Sequence, residues 1–354
     1  MTTTDSARAS NPARASSPAP APYPATTPSA GPAAPAALRG ADTRTLGRSG
    51  LRVSLLGLGT NNFGARLDRE SSARVIDAAL DAGITLFDTA DAYGNRGGSE
   101  TILGEVLGVR RKGIVLATKF GVPQDDAGLL KGASRSYIIH ALEASLRRLK
   151  TDWIDLYQLH KPDPETPIDE TLRALDDLVR AGKVRYIGAS NLPAWQVAQA
   201  QHVARELGVG RFISSQDEYS LLRRDAEREL LPALAAYGIG LLPYFPLANG
   251  LLTGKYRPNQ DAPGGSRLAI NAGLAKRYLT SRDLVLAERL ETFATAQGHT
   301  VLELAFAWLA AQPTVASIIA GASSAEQVVA NRAAIGWRLS AEDLAGIGAV
   351  LSAP

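Results

Sequence analysis

The sequence predicts an α/β fold, a closed (β/α)8 TIM barrel with an N-terminal β-hairpin. Apolar runs of strand length alternate with stretches of helical spacing about eight times, which suits the ~250 residues of such a barrel. A doubly wound open sheet is the alternative, and it usually carries Gly-x-Gly-x-x-Gly at its first helix. Because Gly57-Leu58-Gly59 lacks the third glycine and no P-loop pattern occurs, the barrel is favoured.

Residues 1–40 are predicted to be a disordered tail, so that the barrel domain spans residues 41–354. The tail consists mostly of Pro, Ala, Ser and Thr. It has almost no large apolar side chains, so its burial cannot offset the entropy that is lost on folding. It also lacks the continuous apolar segment of a secretory signal.

Short apolar runs, several of them β-branched and ended by glycine or a polar residue, are predicted to be the barrel strands. In chain order they cover residues 52–59, 84–88, 113–121, 153–160, 184–190, 212–219, 239–246 and 314–321. Stretches with apolar residues at helical spacing cover residues 71–83, 99–108, 136–150, 168–182, 193–208, 225–238, 282–297, 301–311, 324–336 and 340–351. Gly83 and Gly182 end two of these predicted helices, and Pro193 opens a third. Residues 249–281, rich in Gly, Pro and Arg, form a longer insertion.

The composition narrows the classes of function. A net charge of +3 with scattered arginines gives no basic stripe, so nucleic acid is not a predicted partner. The absence of cysteine excludes disulfides, thiolate catalysis and cysteine-ligated metals, and it fits a cytoplasmic protein. Residues 235–254 carry no charge, but Pro243 and Pro246 would break a helix there. That segment is therefore predicted to be a strand followed by a loop, and no membrane partner is expected.

Polar side chains gather where consecutive predicted strands end. Asp88 ends the second strand, and Tyr93 follows in the next loop. Lys119 lies at the end of the third strand and His160 at the end of the fourth. Each residue alone has an ordinary structural explanation, such as a helix cap or a solvated charge. Because the active sites of such barrels lie at the carboxyl ends of the strands, the four together predict a catalytic site.

The chemistry of these four groups is that of a proton donor. A phenol has a pKa of ~10, and a nearby ammonium lowers that value by favouring the phenolate. A carboxylate beside the ammonium would keep it charged and oriented, and a histidine could hydrogen-bond the reacting oxygen. The set contains no nucleophile, and Asp88 with His160 alone is too few ligands for a typical metal site. A donor of this kind requires a hydride cofactor as its partner.

Several segments, in order along the chain, resemble the aldo-keto reductase family. They are FDTADAYGNRGGSE, VLATKFG, DLYQLHKPDP, IGASN, SSQDEYSLL, LLPYFPLANGLLTGKY and IIAGASSAEQVVAN. The resemblance covers about residues 42–353 and is nearest to the branch that includes potassium-channel β subunits and many bacterial general reductases. It implies a barrel that reduces carbonyl compounds with a nicotinamide cofactor.

The resemblance also implies a role for each matching residue. Tyr93 is the general acid, with Lys119 lowering its pKa, Asp88 pairing with Lys119, and His160 orienting the carbonyl oxygen. The residues that match contacts to the nicotinamide are Ser190, Asn191 and Gln216 at its carboxamide and Tyr244 at its ring. The residues that match other cofactor contacts are Gly59, Thr60, Asn61, Asp88, Pro246, Leu247, Gly250, Leu251, Lys255, Arg267, Gly321, Ser323, Gln327 and Asn331.

Three positions depart from the family pattern and bear on cofactor binding. Phe245 stands where a serine is usual, Ala330 where a glutamate is frequent, and Asp217 where an asparagine is frequent. Lys255 and Arg267 suit a 2′-phosphate, so the predicted cofactor is NADPH/NADP+, with NADH as the alternative.

The predicted function is reduction of a small aldehyde or ketone to an alcohol. Two other classes stay open: an NADP(H)-sensing regulatory subunit with little turnover, and an unrelated barrel hydrolase with a metal on Asp88 and His160. The identity of the carbonyl substrate and the oligomeric state have no signal in the sequence, because selectivity resides in loops that follow the strands.

Overall fold

Eight parallel strands curl into a barrel, and a two-stranded antiparallel hairpin precedes them along the chain. The computed structural model describes Met1 and residues 43–352, so the predicted tail lies outside the described residues apart from Met1. The hairpin strands are β1 (Thr43–Thr45) and β2 (Arg52–Ser54). The barrel strands are β3 (Leu56–Gly59), β4 (Leu86–Asp88), β5 (Val115–Phe120), β6 (Ile154–Leu159), β7 (Val184–Ser190), β8 (Ser214–Gln216), β9 (Gly240–Leu241) and β10 (Ile318–Gly321).

The barrel closes between β9 and β10, which stand at the two ends of the strand order. The Leu241 N–H donates to the Thr314 carbonyl at 2.7 Å, and the Ala316 N–H donates to the Leu241 carbonyl at 2.9 Å. Farther along, the Ile319 N–H donates to the Pro243 carbonyl at 3.0 Å. With helices between successive parallel strands, this closure confirms the predicted (β/α)8 barrel.

The predicted strand over residues 52–59 is divided between the hairpin and the barrel. Its first part, β2, pairs antiparallel with β1, and only the second part, β3, joins the parallel sheet. Leu46 in the hairpin turn and Val53 on β2 are fully buried, in one apolar cluster with Leu86 and Leu156 of the barrel interior. The hairpin therefore closes the amino-terminal end of the barrel with apolar side chains and leaves the other end for the site.

Helices cover the barrel near most of the predicted positions. They are α1 (Arg69–Asp81), α2 (Tyr93–Leu107), α3 (Arg135–Leu149), α4 (Ile168–Arg180), α5 (Ala194–Leu207), α6 (Leu230–Tyr237), α7 (Arg267–Ile270), α8 (Ala272–Tyr278), α9 (Ser281–Ala296), α10 (Val301–Ala311), α11 (Ala325–Ala333) and α12 (Ala341–Ser352). Side chains set several starts: Asp68 accepts the Ser71 N–H at the start of α1, and Thr300 forms a capping box with Glu303 at α10.

Three helical regions differ from the sequence prediction. α2 begins at Tyr93, not at residue 99, but its backbone has positive φ from Gly94 to Gly97 and is not a regular helix there. Residues Asp225–Glu227 form a separate 3₁₀ turn ahead of α6. The short helices α7 and α8 lie inside the insertion, where apolar periodicity gave no helical prediction.

Strand alternation carries the site residues into the barrel. Successive side chains of a strand point to opposite faces, so Leu86 and Asp88 face the interior while Phe87 packs outward in the larger apolar cluster. On β5, Ala117 faces inward with them, and Lys119 follows two residues later on the same face. The apolar interior therefore gives way to charged groups at the carboxyl end of the strands.

Among the described residues, no helix combines the length and the apolar character that crossing a bilayer requires. The charge-free residues 235–254 divide between the end of α6, the strand β9, and a loop that contains a 3₁₀ turn at Ala248–Thr253. This is the strand-and-loop arrangement that the two prolines predicted.

Candidate active site

The carboxyl ends of the barrel strands surround a cavity of about 1010 Å³. All of the sequence-predicted site residues line this cavity except Lys119 and Leu251. Lys119 is fully buried beneath the cavity floor, and Leu251 is buried in the apolar core. The fold thus brings residues from seven strand ends and from the insertion to one cavity, with Lys119 of the eighth strand beneath its floor.

Lys119 is held by three acceptors at the floor of the cavity. Its ammonium lies 2.8 Å from Asp88 Oδ2, 2.8 Å from the Thr89 carbonyl oxygen and 3.4 Å from the Tyr93 hydroxyl. The other carboxylate oxygen of Asp88 accepts a hydrogen bond from Gln216 Nε2 at 2.8 Å. Both Asp88 oxygens are therefore engaged, and the ammonium has its full number of partners. These contacts fix the Lys119 ammonium in position beside the Tyr93 hydroxyl.

The pKa values of Lys119 and Tyr93 are each subject to two opposing influences, burial and neighbouring charge. Burial is the largest influence on the pKa of Lys119 and lowers it, but Asp88 and Tyr93 together outweigh burial and raise it overall. Burial raises the pKa of Tyr93, and Lys119 lowers it by less, so the net shift is upward. Lys119 thus lowers the pKa of the Tyr93 phenol as expected, but burial raises it by more. Sequence patterns do not report the extent of burial. Tyr93 keeps its proton at neutral pH.

His160 lies across the floor from Tyr93 as a neutral ring. The ring centroids are 5.8 Å apart at an interplanar angle of 80°. Burial, followed by the charges of Lys119 and Lys161, lowers the pKa of His160 to about 3. Its buried Nδ1 atom has no hydrogen-bond partner among the described residues. A neutral imidazole at this place can donate one hydrogen bond to a substrate oxygen without carrying charge.

Asn191 joins three strand ends into one wall of the cavity. Its side-chain nitrogen donates to the His160 carbonyl at 3.0 Å and to the Ser190 hydroxyl at 2.9 Å. Its side-chain oxygen accepts the Tyr244 hydroxyl at 2.8 Å. The Ser190 hydroxyl in turn donates to the Gln216 carbonyl at 2.7 Å. Asn191 adopts this position with a left-handed φ of 61°, a conformation that asparagine tolerates better than most residues.

Cations dominate the charge around the cavity. Those that line it are Arg66, Lys161, Lys255 and Arg267, and none of them forms an ion pair with a carboxylate among the described residues. Burial, and then the charge of Arg66, lowers the pKa of Arg267. The one carboxylate in the described lining, Asp88, is offset by Lys119. The residues present therefore fit a ligand that carries several phosphate charges.

Two further predicted residues, Ser323 and Gln327, and two of the departures, Phe245 and Ala330, also line the cavity. Phe245 lies beneath the Arg267 guanidinium, 5.2 Å from its ring centroid, and has a strained φ of 52°. Ser323 and Gln327 hydrogen-bond with each other, with the Ser323 N–H 2.9 Å from the Gln327 side-chain oxygen. Ala330 lines the cavity as well. A phenyl face thus supports a cation where the family pattern has a hydroxyl.

Sequence reasoning missed two of the cationic lining residues. Lys161 directly follows His160, so its place after a strand end was a signal that could have identified it. Arg66 gave no such signal, because it reaches the cavity only through the fold, where it donates to the Gly265 carbonyl at 2.8 Å. This contact joins the loop after β3 to the insertion across the cavity edge.

The metal-hydrolase alternative finds little support in these contacts. In the part of the chain that the structure describes, no three His, Cys, Asp or Glu side chains come together as a metal site. Both oxygens of Asp88 already bind Gln216 and Lys119. Metal ligation would require breaking those contacts and exposing a buried ammonium.

Comparison with known proteins agrees with this geometry. The model described as "Aldo/keto reductase family" matches residues 55–352. A relative from Bacillus subtilis (strain 168), described as "Uncharacterized oxidoreductase YrpG", is 40% identical over 293 residues, which are 80% of this chain and 87% of the relative.

Two eukaryotic relatives carry another description. A protein from Oryza sativa subsp. japonica, described as "Probable voltage-gated potassium channel subunit beta", is 39% identical over 302 residues, 82% of this chain and 90% of the relative. A protein from Schizosaccharomyces pombe (strain 972 / ATCC 24843), described as "Putative voltage-gated potassium channel subunit beta", is 37% identical over 325 residues, 87% of this chain and 93% of the relative. The resemblance seen in the sequence is confirmed, and the chain belongs to the aldo/keto reductase family of oxidoreductases.

Proposed function

We propose that this protein reduces an aldehyde or ketone to an alcohol, with NADPH as the hydride donor and Tyr93 as the general acid. The observation that carries the proposal is the buried Lys119 ammonium 3.4 Å from the Tyr93 hydroxyl, at the floor of a cavity lined by cations that have no ion-pair partner among the described residues. Such a cavity supports binding of a phosphate-rich cofactor above a proton donor.

When bound, a reduced nicotinamide nucleotide supplies the hydride for the carbonyl carbon. The Tyr93 hydroxyl and the neutral His160 ring hold the carbonyl oxygen, on which negative charge develops. Tyr93 then gives its proton to that oxygen, and the nearby Lys119 stabilises the phenolate that remains. Asp88 keeps the ammonium charged and in place through its 2.8 Å contact. These roles use each of the four residues once.

Tyr93 is in the protonation state that a general acid requires. Because burial raises the pKa of Tyr93 above its usual value, the phenol carries a proton at neutral pH and is ready to act as an acid. Lys255 and Arg267 support NADPH over NADH, since each adds to the cavity a positive charge that could bind the 2′-phosphate.

The test is steady-state oxidation of NADPH with a panel of small aldehydes and ketones, followed by absorbance. We expect at least one carbonyl compound to accelerate NADPH loss above the rate without substrate, with one alcohol formed for each NADPH consumed. A protein that binds NADPH tightly but reduces no compound of the panel would contradict the proposed activity.

A second candidate is a regulatory subunit that senses the NADPH/NADP+ ratio and turns over slowly. The relatives described as potassium channel β subunits favour it. The complete arrangement of Asp88, Lys119, Tyr93 and His160 favours catalysis instead, because sensing alone does not require a proton donor. Tight NADPH binding together with turnover no faster than that of a Tyr93→Phe variant would select the regulatory candidate.

A further inference from the structure

Asp217 is a buried carboxylate that lies directly behind the cavity wall. It follows Gln216 at the end of β8 and is 7% exposed. Its Oδ2 atom accepts the Ser215 hydroxyl at 2.5 Å, and its Oδ1 atom accepts the Asn191 N–H at 3.1 Å. Among the described residues, no Lys or Arg forms an ion pair with it. Its hydrogen bonds are those of a charged acceptor without a counter-charge.

Two charged residues near Asp217, Asp88 and Glu218, are each paired with a cation on another element. Asp88 of β4 forms its ion pair with Lys119 of β5. Glu218, the residue after Asp217, forms one with Arg277 of α8. The two titratable rings nearby are neutral near pH 7: burial raises the pKa of Tyr244 to about 12, and burial also lowers the pKa of His160 to about 3. Among the described residues, no ion pair therefore neutralises the negative charge of Asp217.

This charge acts on the part of the wall where reaction would take place. The Asp217 carbonyl accepts the Tyr244 N–H at 3.0 Å, which places the two residues side by side. After burial and Glu218, the charge of Asp217 is a further cause of the raised pKa of Tyr244. Asn191, whose main chain Asp217 holds, lines the cavity together with Tyr244. One layer of side chains thus separates the carboxylate from the cavity.

Hydride transfer requires the nicotinamide ring to touch a carbonyl carbon whose oxygen lies at Tyr93. A nicotinamide ring held there would face the cavity wall near Tyr93 to which Asn191, Gln216 and Tyr244 contribute. The oxidised ring carries one positive charge and the reduced ring carries none. We infer that the Asp217 carboxylate biases the cavity toward the oxidised form of the nicotinamide nucleotide; this inference rests on the proposed function.

The bias is expected to depend on pH. Burial raises the pKa of Asp217 to about 6, against the opposing effect of its hydrogen bonds from Ser215 and Asn191. Above that pH the carboxylate is charged and attracts the oxidised ring, and below it the neutral acid does not. The preference for NADP+ over NADPH should therefore increase between pH 5.5 and pH 8.

The experiment compares dissociation constants of NADP+ and NADPH for the wild-type protein and Asp217→Asn, measured by protein fluorescence at pH 8. Asparagine keeps the shape and the acceptor for the Asn191 N–H but removes the charge. We expect NADP+ to bind roughly fivefold more weakly to the variant and NADPH to change by less than about twofold. Asp176→Asn, which neutralises a carboxylate 8% exposed on α4, is the matched control and should leave the ratio unchanged.

A pH series on the wild-type protein tests the same inference without any substitution. The ratio of the two dissociation constants should shift toward NADP+ as pH rises through 6, and the shift should be absent in Asp217→Asn. Titration of the 2′-phosphate affects both nucleotides and cancels in the ratio. Binding of both nucleotides with a ratio unaffected by pH and by the substitution would overturn the inference and leave the proposed function intact. Failure of both nucleotides to bind would overturn the two together.

Discussion

The Lys119 ammonium lies 3.4 Å from the Tyr93 hydroxyl, although the two residues are 26 positions apart in the chain. They meet because β4 and β5 are parallel neighbours, with Asp88 in register with Ala117, two residues before Lys119. Parallel pairing thus places the carboxylate, the ammonium and the phenol at one end of the sheet. The consequences of this arrangement for activity and stability can be measured separately.

Removing the Tyr93 hydroxyl should separate binding from chemistry. Tyr93→Phe keeps the ring but removes the proton donor, so kcat should fall by roughly 10²–10⁴. The dissociation constant for NADPH should change by less than about twofold, because the hydroxyl contacts Lys119 within the protein. Stopped-flow absorbance and fluorescence titration measure the two quantities. Turnover at the wild-type rate would reject Tyr93 as the acid.

Breaking the Asp88–Lys119 pair should destabilise the fold, because it leaves a buried charge without its partner. We expect Lys119→Met to lower the free energy of unfolding by roughly 3–5 kcal/mol. Adding Asp88→Asn should recover part of that loss, although neither variant should turn over substrate. Urea unfolding measures both effects.

Arg74→Met, which breaks an ion pair whose side chains are 59% and 84% exposed, serves as the control for this cycle. It should change the free energy of unfolding by less than about 1 kcal/mol. An equal decrease in the free energy of unfolding for Arg74→Met and Lys119→Met would contradict the expectation that the buried Asp88–Lys119 pair matters more than an exposed one.

Strand order and strand alternation made the residues at the cavity floor predictable from the sequence. Asp88, Lys119 and His160 were identified because each comes at or beside the end of an apolar run, and parallel strands place such ends together. The place of Arg66 was not predictable, because its contact with Gly265 joins segments 199 positions apart without any local signal.

Burial also limited the prediction of charge. The net pKa shift of Tyr93 depends on how completely the barrel excludes water, which a sequence pattern does not report. The helices α7 and α8 were not predicted for a different reason: at 4 and 7 residues they are too short to show apolar periodicity. What sequence alone identified was therefore the residue types and their strand positions, and not their solvation.

His160 should make the fold sensitive to acid. Its pKa is about 3 in the folded protein, lowered chiefly by burial, against ~6.5 in the unfolded chain. As the pH falls from 6.5 toward 3, the unfolded chain takes up a proton that the folded protein does not, so stability decreases. His160→Gln should reduce this decrease, and the exposed His140→Gln should not. Urea unfolding at pH 7, 5.5 and 4.5 is the measurement; parallel curves for wild type and His160→Gln would contradict a neutral buried His160.

The insertion cations Lys255 and Arg267 should decide between NADPH and NADH. Lys255 and Arg267 line the cavity without a carboxylate partner among the described residues, so a phosphate group would be their first counter-charge. Replacing both by methionine should weaken NADPH binding by roughly tenfold or more and NADH binding by much less, because NADH lacks the 2′-phosphate. Lys276→Met, at an exposed position on α8, is the control for a general loss of positive charge. Equal weakening of both nucleotides by the double substitution would assign these cations to the shared diphosphate and would leave the preference for NADPH without a structural basis.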